Sequence, residues 1–518
     1  MTATDLRPVV PGRPSTRSTP HRRRLGLGGI VGIVAVLAVA GWAPFIAGPA
    51  SPDEGGYLLI ASQWGHGSSL YGNYWVDRPP LLIAIHAVAV FLGGTAALRV
   101  IGMLAVVASV VLAAALVRVA TVPWVRLRAG VTAALPVVIA GIFLTTPMFG
   151  TTYVDGELLS VPLVLCGMVA LVRAFTVPGS TRVLGWSCGA GAAAVGAAMV
   201  KQNAIDVFVA ALVLGVGQYA AGNRRRTLEV ARGFAVGALA SGVVIVGTGW
   251  LLGTSPVGLW SAVVTFRFQA ATIISQSATV TNSARMVSLI TSAALSLAPV
   301  VIAVAAYRSR GLPSAAQRSG PNTPVDLRWV AAAMLVWEVV SILGGGSFWL
   351  HYLMVCVPGM VVLAVAAAQR PPSLRLTTGL VAVAAAGVAV VAVVTAATAG
   401  SVSTGARVGA YLRAHSRPGD TAVVAFGHPD IVWDAGLSSP YAELWSLPVR
   451  VRDPQLRAFD TVLASRSAPT WVVVSGTSIA TWGVDATDAD QILGARYTPQ
   501  DRIGGYYLWH RNGAPGAG

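Results

Sequence analysis

Three carboxylates stand close together in a part of the chain that is otherwise poor in acids. Asp53 and Glu54 follow the first apolar stretch, and Asp77 comes soon after, within Asp77-Arg-Pro-Pro80. Residues 1–399 contain ten acidic side chains in all. Keeping an ionisable group next to a membrane-spanning segment costs free energy, so acidic residues in such places usually belong to a functional site. A carboxylate in such a place could be the general base that takes a proton from a hydroxyl.

Cations and further acids occupy the other short polar segments of this half. Asp155 precedes a later apolar stretch, and Asp53 and Asp155 are the candidate catalytic residues. The candidates for binding a substrate or its phosphate are Glu54, Asp77, Arg78, Arg99, Lys201, Arg267 and His351. Cations of this kind could stabilise a departing phosphate. Lys201 is the only lysine in a chain with 35 arginines. This indicates that the position requires the compact point charge of an ammonium group.

A helix start offers a structural explanation for part of the first acidic group. Ser51, Pro52 and Glu54 fit the N-cap, N1 and N3 positions of a helix that runs to Trp64. In that arrangement Ser51 and Glu54 form a capping box. Asp53 is left at N2, where the helix dipole favours a negative charge without requiring one. Capping therefore explains Glu54 more fully than it explains Asp53.

The other candidates also have plain structural alternatives. Asp155 could cap the helix that follows it, with Glu157 complementing the dipole, and Lys201 could complement the end of the preceding helix. Arg99 and Arg267 could reach lipid headgroups. His351 could belong to an aromatic belt at the membrane interface. We favour a functional interpretation of the whole set, because its members are all predicted on one side of the membrane.

The composition places the chain among membrane proteins. Of its 518 residues 55% are hydrophobic and 11% are charged, and the mean hydropathy is +0.68. Soluble globular domains do not have such a composition. The first apolar run, residues 25–46, follows a basic cluster as the core of a cleaved signal peptide would. It is long for such a core and further apolar runs follow, which predicts a retained first helix.

Eleven apolar segments come near the length of about 20 residues that a membrane-spanning helix needs. The predicted spans are 26–47, 97–117, 129–149, 157–175, 183–200, 204–221, 231–252, 286–306, 329–346, 352–369 and 376–398. Residues 81–93 are too short to span and predict a helix at the membrane surface. The expected fold class is an α-helical polytopic membrane protein.

The net charge of +16 comes from the membrane half and indicates topology, not nucleic-acid binding. Residues 1–399 carry 26 basic side chains, whereas residues 400–518 carry ten basic and ten acidic ones. If the N-terminus is cytoplasmic, 21 of the 26 fall in alternate loops on the cytoplasmic side, as the positive-inside rule requires. The predicted parts are a cytoplasmic N-terminus (1–25), a transmembrane domain (26–399) with an outer loop at 48–96, and an extracytoplasmic domain (400–518).

The C-terminal domain alternates strands and helices. Residues 421–426 and 470–475 are β-branched runs that predict buried strands, and 505–510 predicts a closing strand. Residues 456–465 and 488–493 predict helices. This is a small α/β domain. Since no phosphate-binding glycine loop follows either of the first two strands, we assign it no catalysis.

The order of these residues resembles the GT-C superfamily of glycosyltransferases, most closely its protein O-mannosyltransferase and lipid A aminoarabinose transferase branch. The residues that carry the resemblance are Asp53-Glu54, Tyr57, Gly67, Tyr71, Asp77-Arg-Pro-Pro80, Arg99, Asp155, Lys201-Gln202, His351-Tyr352 and Pro358. They occur in order across residues 26–370. The pattern departs at Arg78, where related enzymes often have Lys, and in the α/β tail, which many relatives lack.

The resemblance implies transfer of a sugar from a polyprenyl-phosphate carrier at the outer membrane face. It also implies that Asp53 is the base acting on the acceptor hydroxyl, while Asp155 helps to shape the acceptor or sugar site. Arg99, Lys201 and His351 would hold the donor phosphate. Related enzymes differ in metal use, so a divalent metal is an open alternative. We assign no metal ligand and no definite cofactor.

The predicted function is that of a membrane glycosyltransferase moving a mannose- or arabinofuranose-class sugar from polyprenyl phosphate to an envelope glycan, lipid or protein. Its expected location is a bacterial plasma membrane, in contact with lipids and without nucleic acid. A transporter or flippase of lipid-linked sugars and a non-catalytic envelope-assembly partner are the alternatives. The change Asp53→Asn distinguishes them, because only a transferase should lose turnover while keeping its bound donor.

Overall fold

The structure is a computed structural model that describes residues 26–120, 130–276, 280–310, 325–369, 393 and 403–514. In this part of the chain a helical bundle carries a small C-terminal α/β domain, which is the fold class predicted from the sequence. The basic N-terminus lies outside the described residues. So does the predicted span 376–398, apart from residue 393.

The described part of the membrane half is built from helices. These helices are α1 (Leu27–Trp42), α2 (Pro52–Ser62), α3 (Pro80–Leu92), α4 (Thr95–Ala120), α5 (Gly130–Phe143), α6 (Gly156–Thr176), α7 (Ser180–Val200), α8 (Asp206–Ala220), α9 (Arg224–Leu251), α10 (Pro256–Trp260), α11 (Phe266–Gln276), α12 (Val280–Leu295), α13 (Ala298–Ser309), α14 (Arg328–Gly345) and α15 (Val357–Ala368). The short helix predicted at 81–93 is α3.

Eight of the described helices are long and apolar enough to cross a membrane, and a ninth span results if the bent pair within 282–309 counts as one. The chain is therefore a multi-pass membrane protein. The predicted spans at 129–149 and 204–221 correspond to the shorter helices α5 and α8. The apolar stretch around α5 is interrupted by a 3-10 turn at Pro147–Phe149, so its helix is shorter than its hydropathy indicates.

The segment between the predicted spans 231–252 and 286–306 is largely helical. A π-helical turn, Ser261–Thr265, joins α10 to α11, and together they are long and apolar enough to span a membrane. Arg267 in α11 pairs with Asp77, with 2.6 Å between Nη2 and Oδ2. Because of this pair, α11 lies against the polar residues that follow α2.

The C-terminal domain contains four strands and five short helices among its described residues. The strands are β1 (Ala422–Ala425), β2 (Trp471–Ser475), β3 (Tyr497–Ile503) and β4 (Tyr506–Arg511), and the helices are α16 (Thr404–His415), α17 (Pro429–Ala435), α18 (Ser446–Arg452), α19 (Arg457–Ala464) and α20 (Thr487–Arg496). The sheet order is β1-β2-β4-β3, with β1 and β2 parallel and the other pairs antiparallel.

The predicted strands β1, β2 and β4 and the predicted helices α19 and α20 are confirmed. Strand β3 was not predicted. It lies at the edge of the sheet, and five of its seven residues are exposed. Such a strand carries no alternation of apolar and polar residues from which to recognise it.

This domain packs directly on helix α2. A Cβ atom at Gly55 would lie 2.5 Å from the backbone Cα of Asp430, and one at Gly56 would lie 2.2 Å from the Trp445 ring. Real Cβ atoms do not approach other atoms so closely. The two glycines therefore allow α17 and Trp445 to contact the backbone of α2, immediately after the candidate base Asp53.

Candidate active site

Helix α2 begins with the capping box that the sequence predicts. The Glu54 backbone N–H donates to Ser51 Oγ at 3.2 Å, and the Ser51 N–H donates to Glu54 Oε2 at 2.8 Å. Pro52 occupies N1, which leaves Asp53 half-buried at N2. The box accounts for Ser51 and Glu54 and fixes the direction in which Asp53 leaves the helix.

The Glu54 carboxylate also forms a buried ion pair with Arg99. Nε and Nη2 of Arg99 donate to the two Glu54 oxygens at 2.5 and 2.7 Å. The other N–H groups of Arg99 donate to the carbonyl oxygens of Phe45, Pro49 and Thr152. A guanidinium has five N–H groups, so this arrangement leaves none for a phosphate. The geometry does not support substrate contacts by Arg99 and Glu54; the pair instead ties α2 to α4.

A second acidic cluster lies at the start of α6. Asp155 occupies the N-cap position, but its side chain makes no capping hydrogen bond. Instead, Oδ2 of Asp155 is 3.4 Å from Nδ1 of His351, and Oε1 of Glu157 is 2.7 Å from Nζ of Lys201. Nε2 of His351 is 3.8 Å from the same Glu157 oxygen. The four side chains therefore form one acid–base cluster, and capping does not explain Asp155.

Asp155 is the acid of this cluster whose protonation is most displaced from that of a free carboxyl. Burial raises its pKa to about 7, the charge on His351 opposes the change, and Glu157, Asp53 and Glu54 add to it. A carboxyl with such a pKa is present in both protonation states near neutral pH. It could therefore either donate a hydrogen bond to a sugar or acceptor oxygen or accept one from a hydroxyl.

We expect the Asp155 carboxyl to lose its proton as the pH rises through about 7. Infrared spectroscopy of the purified protein should show a protonated carboxyl band that disappears over this range and is missing from Asp155→Asn. The folded protein raises the pKa of Asp155 above its ordinary value near 4, so the protonated carboxyl adds to the free energy of unfolding. This contribution is complete below about pH 4 and is lost as the pH rises to about 7. Asp155→Asn should thus lose less thermal stability than wild type over that range. A band already absent at about pH 5 would contradict the assignment.

Asp77 joins two arginines that come from different elements. Its Oδ1 is 2.7 Å from Nη1 of Arg78, and its Oδ2 is 2.6 Å from Nη2 of Arg267. Nε of Arg78 also donates to the Tyr57 hydroxyl at 2.9 Å. Burial acts to raise the pKa of Asp77, but Arg267, Arg78 and Lys201 outweigh it and hold the pKa below its usual value. Asp77 is therefore an anion that positions two guanidinium groups.

Aromatic rings connect further cations to the Asp155 cluster. Nζ of Lys201 lies 5.6 Å from the centre of the Tyr352 ring. The Arg285 guanidinium lies 3.9 Å from the centre of the Trp349 ring, which is nearly parallel to the His351 ring at a centre separation of 6.3 Å. Tyr352 belongs to the family resemblance of the sequence, and the sequence alone assigned no contact to Trp349. In the structure they pack against charged groups, where cation–π attraction holds the cations in place.

The C-terminal domain adds a residue that no sequence pattern singled out. Nε1 of Trp445 donates to Oδ1 of Asp53 at 3.1 Å, across a separation of 392 residues along the chain. The Trp445 ring also packs on Tyr57, with 5.4 Å between the ring centres. Trp445 is one of 15 tryptophans, and its neighbours in the sequence carry no motif. Only the docking of the domain on α2 identifies it.

The structure thus brings most of the predicted site residues into one region. They are linked by the ion pairs given above or by their electrostatic effect on one another: Asp53, Asp77, Arg78, Asp155, Lys201, Arg267 and His351. Within the described ranges, no three His, Cys, Asp or Glu side chains are grouped in a way that could hold a metal ion. A divalent metal stays an open alternative without assigned ligands.

Compared by sequence, the chain matches no family model and no curated protein. Compared by structure, it is similar to ArnT from Cupriavidus metallidurans bound to undecaprenyl phosphate, with a TM-score of 0.62 and 15% identity over 93% of this chain and 98% of that one. It is also similar to the oligosaccharyltransferase AglB from Archaeoglobus fulgidus, in complex with an inhibitory peptide and a dolichol-phosphate. That match has a TM-score of 0.52 and 12% identity, over 94% of this chain and 75% of that one. Both proteins are GT-C glycosyltransferases, so this chain has the GT-C fold.

Proposed function

We propose that this GT-C-fold chain is a membrane glycosyltransferase that moves one sugar from a polyprenyl-phosphate donor to an acceptor hydroxyl. One observation carries the proposal: the half-buried carboxylate of Asp53 shares a region with Arg78, Lys201 and Arg267. A carboxylate and several cations are what a general base and a phosphate leaving group require. The undecaprenyl phosphate bound to ArnT and the dolichol-phosphate bound to AglB support a lipid-linked donor.

The proposed reaction is a displacement at the anomeric carbon of the donor sugar. The acceptor oxygen forms a bond to that carbon, and the bond from the carbon to the phosphate oxygen breaks. The electron pair of the broken bond leaves with the polyprenyl phosphate, and Asp53 receives the hydroxyl proton. Negative charge develops on the phosphate as it departs, so fixed cations stabilise the transition state more than the ground state.

The cations have separate proposed tasks. Asp77 holds Arg78 and Arg267 side by side, which presents two planar groups suited to phosphate oxygens. Lys201 supplies a compact charge from the neighbouring acid–base cluster. In the same cluster, Asp155 is proposed to bind a sugar or acceptor hydroxyl, and His351 favours the ionised form of the Asp155 carboxyl against the effect of burial. Arg99 is given no part in binding the phosphate.

The location and the substrates are proposed from the charge pattern and the resemblance. The excess of basic residues in alternate loops supports a cytoplasmic N-terminus and a site on the outer face of a bacterial plasma membrane. Mannose and arabinofuranose are both retained as donor sugars. An envelope glycan, a lipid and a protein are all retained as acceptors.

The test is the release of polyprenyl phosphate from labelled polyprenyl-phosphate-mannose and polyprenyl-phosphate-arabinose. The full chain is reconstituted in proteoliposomes and supplied with an envelope extract as acceptor. We expect release from one of the two donors together with transfer of the label to the extract. Movement of an intact labelled donor across the bilayer, without release, would contradict the proposal and favour a flippase. If no polyprenyl phosphate is released from these or other polyprenyl-phosphate sugars, the proposal is also overturned.

A further inference from the structure

The C-terminal domain reaches the site through residues 439–452, which we call the docking segment. At its start, the Ser439 N–H donates to the Tyr74 hydroxyl at 2.9 Å. At its end, helix α18 packs against α11, the helix that carries Arg267. The docking segment therefore contacts both chain regions that supply the Asp77–Arg267 ion pair. It is a part of the wall around the site, although it belongs to a domain that was assigned no catalysis.

Trp445, near the middle of the docking segment, contacts the candidate base itself. Its indole N–H donates to Oδ1 of Asp53 at 3.1 Å. Its ring packs on Tyr57, whose hydroxyl accepts the hydrogen bond from Nε of Arg78. Gly56 leaves just enough room, since a Cβ atom there would lie 2.2 Å from the ring. One side chain thus touches both the base and the tyrosine that holds a phosphate-binding cation.

The hydrogen bond from Trp445 makes the two oxygens of the Asp53 carboxylate inequivalent. Oδ1 accepts from Trp445, whereas Oδ2 has no hydrogen-bond partner among the described residues. An indole N–H is only a donor and does not give up its proton, so it stabilises the ionised carboxylate without neutralising it. The bond also restricts rotation of the carboxylate. Oδ2 is therefore left in a fixed position from which it can accept a proton.

We propose that Trp445 is a positioning residue for Asp53 and that the C-terminal domain is thereby a part of the active site. The inference rests on the proposed function, in which Asp53 is the base. A base accelerates transfer only when its free oxygen lies within hydrogen-bond reach of the acceptor hydroxyl. Trp445 sets that position from a segment that is remote in sequence. The lipid-linked donor is bound by other residues and does not depend on the indole N–H.

The experiment compares Trp445→Phe with Trp433→Phe in the full chain, using the polyprenyl phosphate release assay. Trp433 is a matched control because its Nε1 also donates across the domain boundary, to Thr95 Oγ1, at the same 3.1 Å. We expect Trp445→Phe to lower kcat about 10- to 100-fold with little change in the KM for the donor. The loss should be larger at low pH, because the indole N–H stabilises only the ionised carboxylate. Trp433→Phe should keep the wild-type kcat.

Two results would overturn the positioning role. One is a wild-type kcat for Trp445→Phe at every pH tested. The other is an equal loss of kcat in Trp433→Phe, which would mean that the indoles act only by docking the domain. If Trp445→Phe does not fold, Trp445→Met, which also lacks the ring N–H, is measured against Trp433→Met by the same criteria. A wild-type protein that releases no polyprenyl phosphate would instead refute the proposed function, and the positioning role with it.

Discussion

Asp53→Asn is expected to lower the turnover of the proposed transfer by about 10²- to 10⁴-fold, the range that general-base catalysis contributes. The amide has nearly the shape of the carboxylate and can still accept the hydrogen bond from Trp445, but it cannot take up the acceptor proton. Binding of the labelled donor should stay close to wild type, since the proposed phosphate contacts come from Arg78, Lys201 and Arg267. Release of polyprenyl phosphate and equilibrium binding of the donor measure the two quantities separately.

Asp501→Asn is a suitable control for this change. Asp501 lies on the exposed edge strand β3 of the C-terminal domain, so the same substitution there should leave turnover unchanged. Full turnover in Asp53→Asn would show that another group accepts the proton. A loss of donor binding equal to the loss of turnover would mean that Asp53 serves the donor site and is not the base.

Arg99→Met is expected to cost about 3–5 kcal/mol of folding free energy, because it leaves the Glu54 carboxylate buried without its counter-ion. Glu54 is 0% and Arg99 1% exposed, so water cannot replace the lost partner. Three backbone carbonyls would lose their donor in the same variant. Thermal unfolding in detergent should show a large drop in Tm. The double variant Glu54→Gln/Arg99→Met should recover part of it, because it no longer buries a charge.

An exposed ion pair provides the comparison for Arg99. Arg225 pairs with Glu229 one helical turn away at 3.2 Å, and the Arg225 side chain is almost fully in solvent. Surface ion pairs of this kind contribute little to the free energy of unfolding. The Tm of Arg225→Met should therefore equal that of wild type within experimental error. If Arg99→Met keeps the wild-type Tm and loses donor binding, the phosphate-binding role expected from the sequence resemblance would be restored.

The local patterns of the sequence predicted those parts of the site that depend on neighbouring residues. The spacing of Ser51 and Glu54 predicted the capping box, because both partners lie within one helical turn. The length of the apolar run after Asp77 predicted the short helix α3. The β-branched runs predicted β1 and β2, since buried strands carry that composition.

Features that depend on distant partners could not be predicted in this way. Arg99 was placed correctly at the start of a helix, but its sequence neighbourhood does not reveal the three carbonyl groups that occupy its N–H groups. The capping alternative for Asp155 was open until the structure showed its carboxylate near His351. Trp445 could not be identified at all, since its partner lies in another domain. Pairings of this kind are tertiary and leave no periodicity in the sequence.

The contact between Trp445 and Asp53 also sets an order of events during synthesis. The two residues are 392 positions apart, so at about 5–20 residues per second the ribosome needs about 20–80 s to pass from one to the other. Helix α2 and the Asp53 carboxylate are synthesised at the start of that interval, before the segment that orients the carboxylate. On the proposed mechanism, efficient sugar transfer begins only when the C-terminal domain has crossed the membrane, folded and docked. On this mechanism, transfer is switched on by the synthesis and docking of the segment that orients Asp53.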